Sequence, residues 1–281
     1  MPKFIDLILI SLLMLIPSAH GSELKVSIQL WSVKEELKVD FKGTIKALAD
    51  MGFQGVEFAN EFGEFANDPV GLVEFIRSQG LEISGAHTVF PTLEPDKIDA
   101  TLAFYAAAEV PLVVIAWDDR AFDPTTVWQT IADLNRLYEP VTQAGFLFGY
   151  HNHAEEFAPY RGKTTLWDHI ANSTPESLVM QLDAGWAKTA GINPESVVRQ
   201  HPGRTFAIHY KASSPESAGQ TRPIIGEDTI NWAALIVANS EVGGTQWVVL
   251  EQEVYPDGLA PLDAIRLSKR ALDGFLQTAE R

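Results

Sequence analysis

From Leu24 onward the chain repeats one pattern: a short apolar run, a polar loop, an amphipathic stretch, then another apolar run. Eight runs fit it: LKVSIQLW (24–31), GVEFA (55–59), LEISGAH (81–87), VPLVVIAW (110–117), FLFGYHN (146–152), LVMQLD (178–183), TFAIHYK (205–211) and TQWVVLEQE (245–253). Their length and apolar content read as strands. The stretches between them read as helices. Residues 40–52 open on Asp40 and close on Gly52, residues 124–145 open on Pro124 and close on Gly145, and 261–277 lie near the end of the chain. Strands alternating with helices imply a parallel sheet. Eight such units in about 250 residues imply an α/β fold closed as a (β/α)8 TIM barrel. An open doubly wound sheet would carry a glycine-rich phosphate loop after its first strand, whereas SVKEEL follows here. With no linker in view, residues 22–281 are expected to form one domain.

The first residues break the pattern. Lys3 precedes LILISLLMLI (7–16), then Pro17 and the small-residue stretch Ala19-His20-Gly21. This is the layout of a signal peptide over residues 1–21, with an apolar stretch too short for a permanent anchor. The expectation is a periplasmic or secreted protein with no membrane attachment after cleavage. The chain has no cysteine, so it must be stable without disulfides. A net charge of −16 repels phosphate backbones and argues against nucleic acid as a partner.

A barrel gathers its chemistry at the C-terminal ends of the strands. Those ends carry Gln29 and Trp31, Glu57, His87, Trp117, His151 and His153, Asp183, His209 and Lys211, and Glu251 and Glu253. Side chains two apart share a face, so His151 pairs with His153, His209 with Lys211 and Glu251 with Glu253. His151, Asp183, His209 and Glu251 thus come from four consecutive strands toward one rim. Nitrogen and oxygen donors on separate rigid strands suit a divalent cation, which would also relieve the repulsion between crowded carboxylates. Taken singly, Asp183 also suits a helix cap, and Glu251 an ion pair with Lys211.

At these residues the chain resembles the xylose-isomerase-like barrel family, often labelled sugar phosphate isomerase/epimerase. The resemblance rests on IQLWSVKEELKVDFKGTIKALADMGFQGVEFA, FGYHNHAEEF, QLDAGWAKTAG, HPGRTFAIHYK and VVLEQE, and runs from about Lys25 to Leu276. The YHNH and LDxGW blocks are typical of a subgroup with many exported members. The resemblance implies one divalent ion (Mn, Co, Mg or Zn) held by a Glu, Asp, His, Glu set on strands five to eight. Asp183, His209 and Glu251 match the last three. His151 stands at the strand-five Glu position, with His153 and Glu156 as the other donors within reach. Ala154, Ala212 and Asp228 also depart from the subgroup's pattern.

The resemblance further implies chemistry on a sugar. A metal that chelates a ketone and a neighbouring hydroxyl acidifies the C–H between them, and a nearby base takes the proton. Glu156, His153 and Lys211 are the candidate acids and bases. Glu57, His87, Trp31, Trp117 and Trp186 are candidate substrate contacts, the tryptophans by stacking. Loss of the strand-five glutamate removes one of two facing carboxylates. That favours a lyase or hydratase acting on a 3-keto glycoside over an isomerase or epimerase acting on a free ketose. A non-catalytic sugar-binding protein is the remaining alternative. The expected partner is a small neutral sugar or glycoside, and a homo-oligomer is compatible with the sequence.

Overall fold

The computed structural model describes residues 24–162, 164–213 and 222–279, so the signal-like residues 1–21 lie outside the described residues. Eight parallel strands appear where the apolar runs predict them: β1 Lys25–Gln29, β2 Gly55–Phe58, β3 Glu82–Thr88, β4 Leu112–Ile115, β5 Leu147–His151, β6 Val179–Gln181, β7 Ala207–Lys211 and β8 Trp247–Glu251. Each is followed by helix. The expected helices occupy Phe41–Asp50, Val127–Gln143 and Pro261–Ala279. Polar side chains set the starts of several helices: Asp40 accepts from Gly43 N, Asp68 from Gly71 N and Asn231 from Ala234 N. Among the described residues no helix is long and apolar enough to cross a membrane.

The sheet order is β6-β5-β4-β3-β2-β1-β8-β7. Seven of the eight seams are ladders. The eighth, between β6 and β7, has one bridge, between Asp183 and His209, with backbone bonds from Met180 N to Arg204 O at 2.7 Å and from His209 N to Leu182 O at 2.8 Å. The barrel's weakest seam therefore passes through two of the site residues expected from sequence.

Most of the core lies between the sheet and the helices, where Ile28, Val56, Phe58, Phe148, Tyr150, Ile208, Tyr210 and Leu250 meet the helical layer. A smaller plug fills the barrel: Leu112, Val114, Val179, Ala207, Trp247 and Val249. Gly55 makes room for it, because a Cβ there would lie 2.8 Å from the Trp247 ring. Above this apolar floor seven of the eight strands each contribute a buried polar side chain. Gln29, Glu57, His87, His151, Gln181, His209 and Glu251 are all buried.

One irregularity aims that layer. The register between β2 and β3 shifts after Val56, which pairs with Ile83, so that Glu57 pairs with Gly85. Ser84 is the extra residue, and its hydroxyl donates to Ser27 Oγ at 2.9 Å. Such a bulge redirects the side chains beyond it. Here it brings His87 over Glu57. Gly85 gives close packing beside it, since a Cβ would sit 3.1 Å from Glu57 Oε1 and 3.2 Å from Leu112 O.

Candidate metal centre

His151, Asp183, His209 and Glu251 each present a donor atom, and the four atoms lie within 4.8 Å of one another in a buried cluster. His87 joins His151 and His209 in an overlapping group of the same compactness. Strand register produces this arrangement. His151 ends β5, His209 is the third residue of β7 and Glu251 ends β8. Asp183 stands just past β6 and opens the helix Ala184–Thr189. Asp183 has the helix-cap role that its sequence position suits, and the cap uses only one of its oxygens. Its Oδ1 caps that helix by accepting from Trp186 N at 2.7 Å, while its buried Oδ2 has no hydrogen-bond partner. Asn152 fixes its backbone, with Oδ1 accepting from Asp183 N at 2.9 Å.

Beneath the cluster lies Glu57, fully buried. Its carboxylate accepts from His209 Nε2 at 2.6 Å, Gln29 Nε2 at 2.8 Å and Gln181 Nε2 at 2.7 Å, with His87 Nε2 at 3.2 Å. Burial pulls its pKa up, but His87 and His209 outweigh burial and hold the carboxyl well below the usual range. His209 is held between two carboxylates, with Nδ1 lying 2.9 Å from Glu251 Oε2. Burial disfavours its charged form, yet Glu57 and Glu251 prevail and push it up to about 10. A proton between His209 and Glu251 thus occupies the edge where the other donors also point. With its Nε2–H given to Glu57, His209 can offer only Nδ1 to a metal ion, and only when the proton shared with Glu251 has left.

Gln181 was not among the residues expected from sequence. Glu57 can only accept, so the amide nitrogen of Gln181 must face it. The amide oxygen then faces two rings, His87 Nε2 at 2.7 Å and His151 Nδ1 at 3.1 Å, and both nitrogens must carry hydrogen. His151 therefore keeps Nε2 as its lone-pair nitrogen. Burial first, then His209 and His87, hold its pKa well below the ordinary value, so the ring is neutral. The missed signal was periodicity: Gln181 is two residues before Asp183 and faces the same way.

His151 and Glu251 of the cluster line a cavity of about 410 Å³, with Asp183 and His209 behind them. Trp31, Trp117, Trp186, His87, His153 and Glu253 stand around it. Trp31 and Trp117 are 42% and 50% exposed, which is unusual for tryptophan, and Lys34 Nζ lies 3.4 Å over one face of Trp31. Lys211 Nζ lies 4.0 Å over the Trp186 ring, 2.7 Å from Glu253, 3.7 Å from Asp183 and 4.0 Å from Glu251. The closer partner of Lys211 is thus Glu253, not Glu251 as sequence suggested. Burial pulls Lys211 down, but the three carboxylates more than offset it and keep the amine charged. Asp183 is pushed up to about 7, by burial first, against the pull of Lys211. In Glu251 burial is overcome by Lys211 and His209, and its carboxyl stays well below the usual range. His153 packs edge-on against Trp117 with centroids 4.5 Å apart, and its buried Nδ1 has no partner. Burial, then Lys211, lowers its pKa to about 4.

Two expectations need correction. Glu57 does not line the cavity. It lies under the donors, because three N–H groups on separate strands need one acceptor at the barrel axis. Glu156 also faces away. Its oxygens accept from Tyr150 Oη at 2.8 Å and from His153 N at 2.9 Å, behind β5. Those two bonds satisfy it where it is, so it holds the loop that presents His153 and does not reach the cavity. Burial lifts Glu156 to about 7 from an ordinary 4.5, against both bonds. A raised carboxyl pKa contributes stability that is complete below about 4.5 and is lost as pH rises through about 7. Glu156→Gln keeps both contacts, with the amide oxygen facing His153 N and the amide nitrogen facing Tyr150 Oη. The variant is expected to exceed the parent in stability by up to about 3 kcal/mol above pH 7 and to converge with it near pH 4.5. Urea unfolding at pH 5 and pH 8 checks this, and a difference that ignores pH would contradict it.

No protein-family model matches this chain, and no curated protein matches its sequence. Solved structures do match. A sugar phosphate isomerase/epimerase from Parabacteroides distasonis superposes with a TM-score of 0.75 at 20% identity, over 90% of this chain and 99% of that one. The fold is that of the xylose isomerase-like barrels. The probable 3-DHS dehydratase AsbF of Bacillus anthracis shares this xylose isomerase-like fold with a TM-score of 0.68 at 13% identity, over 89% of this chain and 99% of its own. So does the IOLI protein solved with a bound zinc atom, with a TM-score of 0.68 at 14% identity over 91% and 99%. In this xylose isomerase-like barrel the buried His/Asp/Glu cluster has the composition and compactness to hold a metal ion.

Proposed function

We propose that the chain is a divalent-metal-dependent enzyme that removes a proton next to the carbonyl of a keto-sugar, and that its reaction is the lyase or hydratase chemistry of a 3-keto glycoside. One observation carries the reading. Four potential ligand atoms converge beside an aromatic-rimmed cavity, and one of them, Asp183 Oδ2, is a buried carboxylate oxygen with no hydrogen-bond partner and with the Lys211 ammonium no nearer than 3.7 Å. A cation in direct contact would offset the burial of that oxygen more fully than Lys211 does. His151, Asp183, His209 and Glu251 would hold that ion, and all four suit it. Bound there, it supplies Lewis acidity toward a carbonyl and an adjacent hydroxyl. The structural neighbours support the class, since they include an isomerase/epimerase and a dehydratase as well as a zinc-bound protein.

The rest of the chemistry falls to side chains at the cavity wall. Trp31, Trp117 and Trp186 offer flat apolar faces to a pyranose. Lys211 stands beside the donors as a cation for developing oxygen charge, steered by Glu253. His153 lines the cavity and is the imidazole placed to meet a hydroxyl or a leaving oxygen. In the elimination, the C2–H bond of a 3-keto glycoside breaks and its proton goes to a base. The C1=C2 bond forms as the C1–O bond breaks, and the aglycone oxygen takes a proton. Hydration is the reverse addition of water. Exchange on both faces of one carbon, as epimerisation needs, is served poorly: the β5 member of the set is His151, whose Nδ1–H is committed to Gln181. We place the protein outside the cytoplasm on residues 1–21, and neutral glycosides are the carbohydrates met there.

Purified protein, stripped and reloaded with single divalent cations, is to be incubated in D2O with an aryl 3-keto-glucoside. Aglycone release with enone absorbance is expected, and Lys211→Met or His153→Ala should slow it about a hundredfold or more. Deuterium incorporation with no aglycone released would instead favour an epimerase. Binding without any turnover would favour a sugar-binding protein.

A further inference from the structure

We infer that His151 is a specificity-determining residue for the metal, and that its pairing with Gln181 commits this site to a borderline cation such as Zn2+ or Co2+ over Mn2+ or Mg2+. The inference rests on the metal reading above and goes beyond it.

The donor set at the cluster is two imidazoles and two carboxylates. Imidazole suits zinc, copper, iron and nickel, whereas carboxylate suits magnesium, calcium and manganese. Two anionic donors also exactly balance a dication, without the surplus negative charge a third carboxylate would bring. The structure shows that the imidazole at position 151 is built in. Gln181 Oε1 accepts from His151 Nδ1 at 3.1 Å and from His87 Nε2 at 2.7 Å, while Gln181 Nε2 donates to Glu57 Oε1 at 2.7 Å. The amide cannot turn over, because its oxygen would then face the Glu57 carboxylate. The group at 151 must therefore present a hydrogen-bond donor toward Gln181 and a lone pair on its other side. Neutral imidazole does both. A glutamate can do only the second, and it would set two oxygens against the Gln181 carbonyl. Glu57, which fixes the amide, also accepts from His209 Nε2 at 2.6 Å. One buried carboxylate thus sets the tautomers of both imidazole donors, by a chain through Gln181 for one and directly for the other.

The test measures dissociation constants by equilibrium dialysis with Zn2+, Co2+, Mn2+ and Mg2+, on the wild type and on His151→Glu. The expected result is a Mn2+-to-Zn2+ ratio of dissociation constants that falls about tenfold or more in the variant. The ratio within one protein already contains the general preference for zinc, so the change between proteins isolates position 151. A second measurement does not depend on the variant folding: pulsed EPR of the wild type loaded with Cu2+ should count two coordinated imidazoles. An unchanged ratio in a folded variant, or a single imidazole in the wild type, overturns the inference while leaving a metal site in place. Failure of the wild type to bind any of the cations overturns both this inference and the metal reading on which it rests.

Discussion

Asp183→Asn is expected to abolish metal-dependent stabilisation while sparing the fold. The asparagine keeps the oxygen that caps Trp186 N, since that contact uses Oδ1 alone. It replaces the unpartnered Oδ2 by an NH2 group that cannot ligate. In the wild type, a cation at about a thousand times its dissociation constant adds about 4 kcal/mol to folding stability. The gain should be conspicuous because the four donors straddle the β6–β7 seam, which has one bridge. Chelation of the wild type should therefore lower its melting temperature and speed amide exchange at 179–183 and 205–209. The variant should show neither change, and its turnover should fall below detection. Calorimetry with and without a chelator decides the matter. A full metal-dependent shift in Asp183→Asn would remove Asp183 from the ligand set.

Glu57→Leu is expected to cost about 3–5 kcal/mol, the range for removing one partner of a buried ion pair. The leucine would leave the His209, Gln29 and Gln181 N–H groups facing apolar atoms, with no route for water to reach them. For a chain of this size the loss corresponds to roughly 10 °C in melting temperature. Metal affinity should fall as well, by about 10- to 100-fold, since His209 loses the acceptor that fixes its ring. The two effects separate Glu57 from the cavity-lining residues, whose replacement should alter turnover at nearly constant stability. If Glu57→Leu unfolds within about 1 kcal/mol of the wild type and binds metal equally well, the buried network does not support the donors in the way described.

Much of this site was legible because two regularities are local. Strand and helix periods separate cleanly in the chain, so seven of the eight apolar runs contain a whole strand, the third stops one residue short of Thr88, and each strand end can be located within a few residues. Period-two alternation then picks His151, His209 and Glu251 as facing the same interior. The errors have a common cause. Glu156 and Glu57 are carboxylates near strand ends, as Glu251 is, and their spacing alone cannot separate them. What separates them is which donors each meets. Tyr150 and His153, behind β5, claim Glu156. Three strands converging on the axis claim Glu57. Gln181 went unnoticed because a lone amide in LVMQLD acquires meaning only once Glu57 is beside it, 124 residues away in the chain.

By itself the amino-acid sequence determined the barrel and put Asp183, His209 and Glu251 at strand ends, with His151, His153 and Glu156 left as alternatives on β5, because hydrophobic period and strand-end position are properties of short segments. The tertiary structure alone decided the depth of each group and its partner: Glu57 under the cluster, Asp183 Oδ2 left without a partner, Lys211 drawn to Glu253, and the tautomers of His151 and His209. Those outcomes depend on barrel closure and on the Ser84 bulge, which set distances between strands far apart in the chain. No local pattern carries that information.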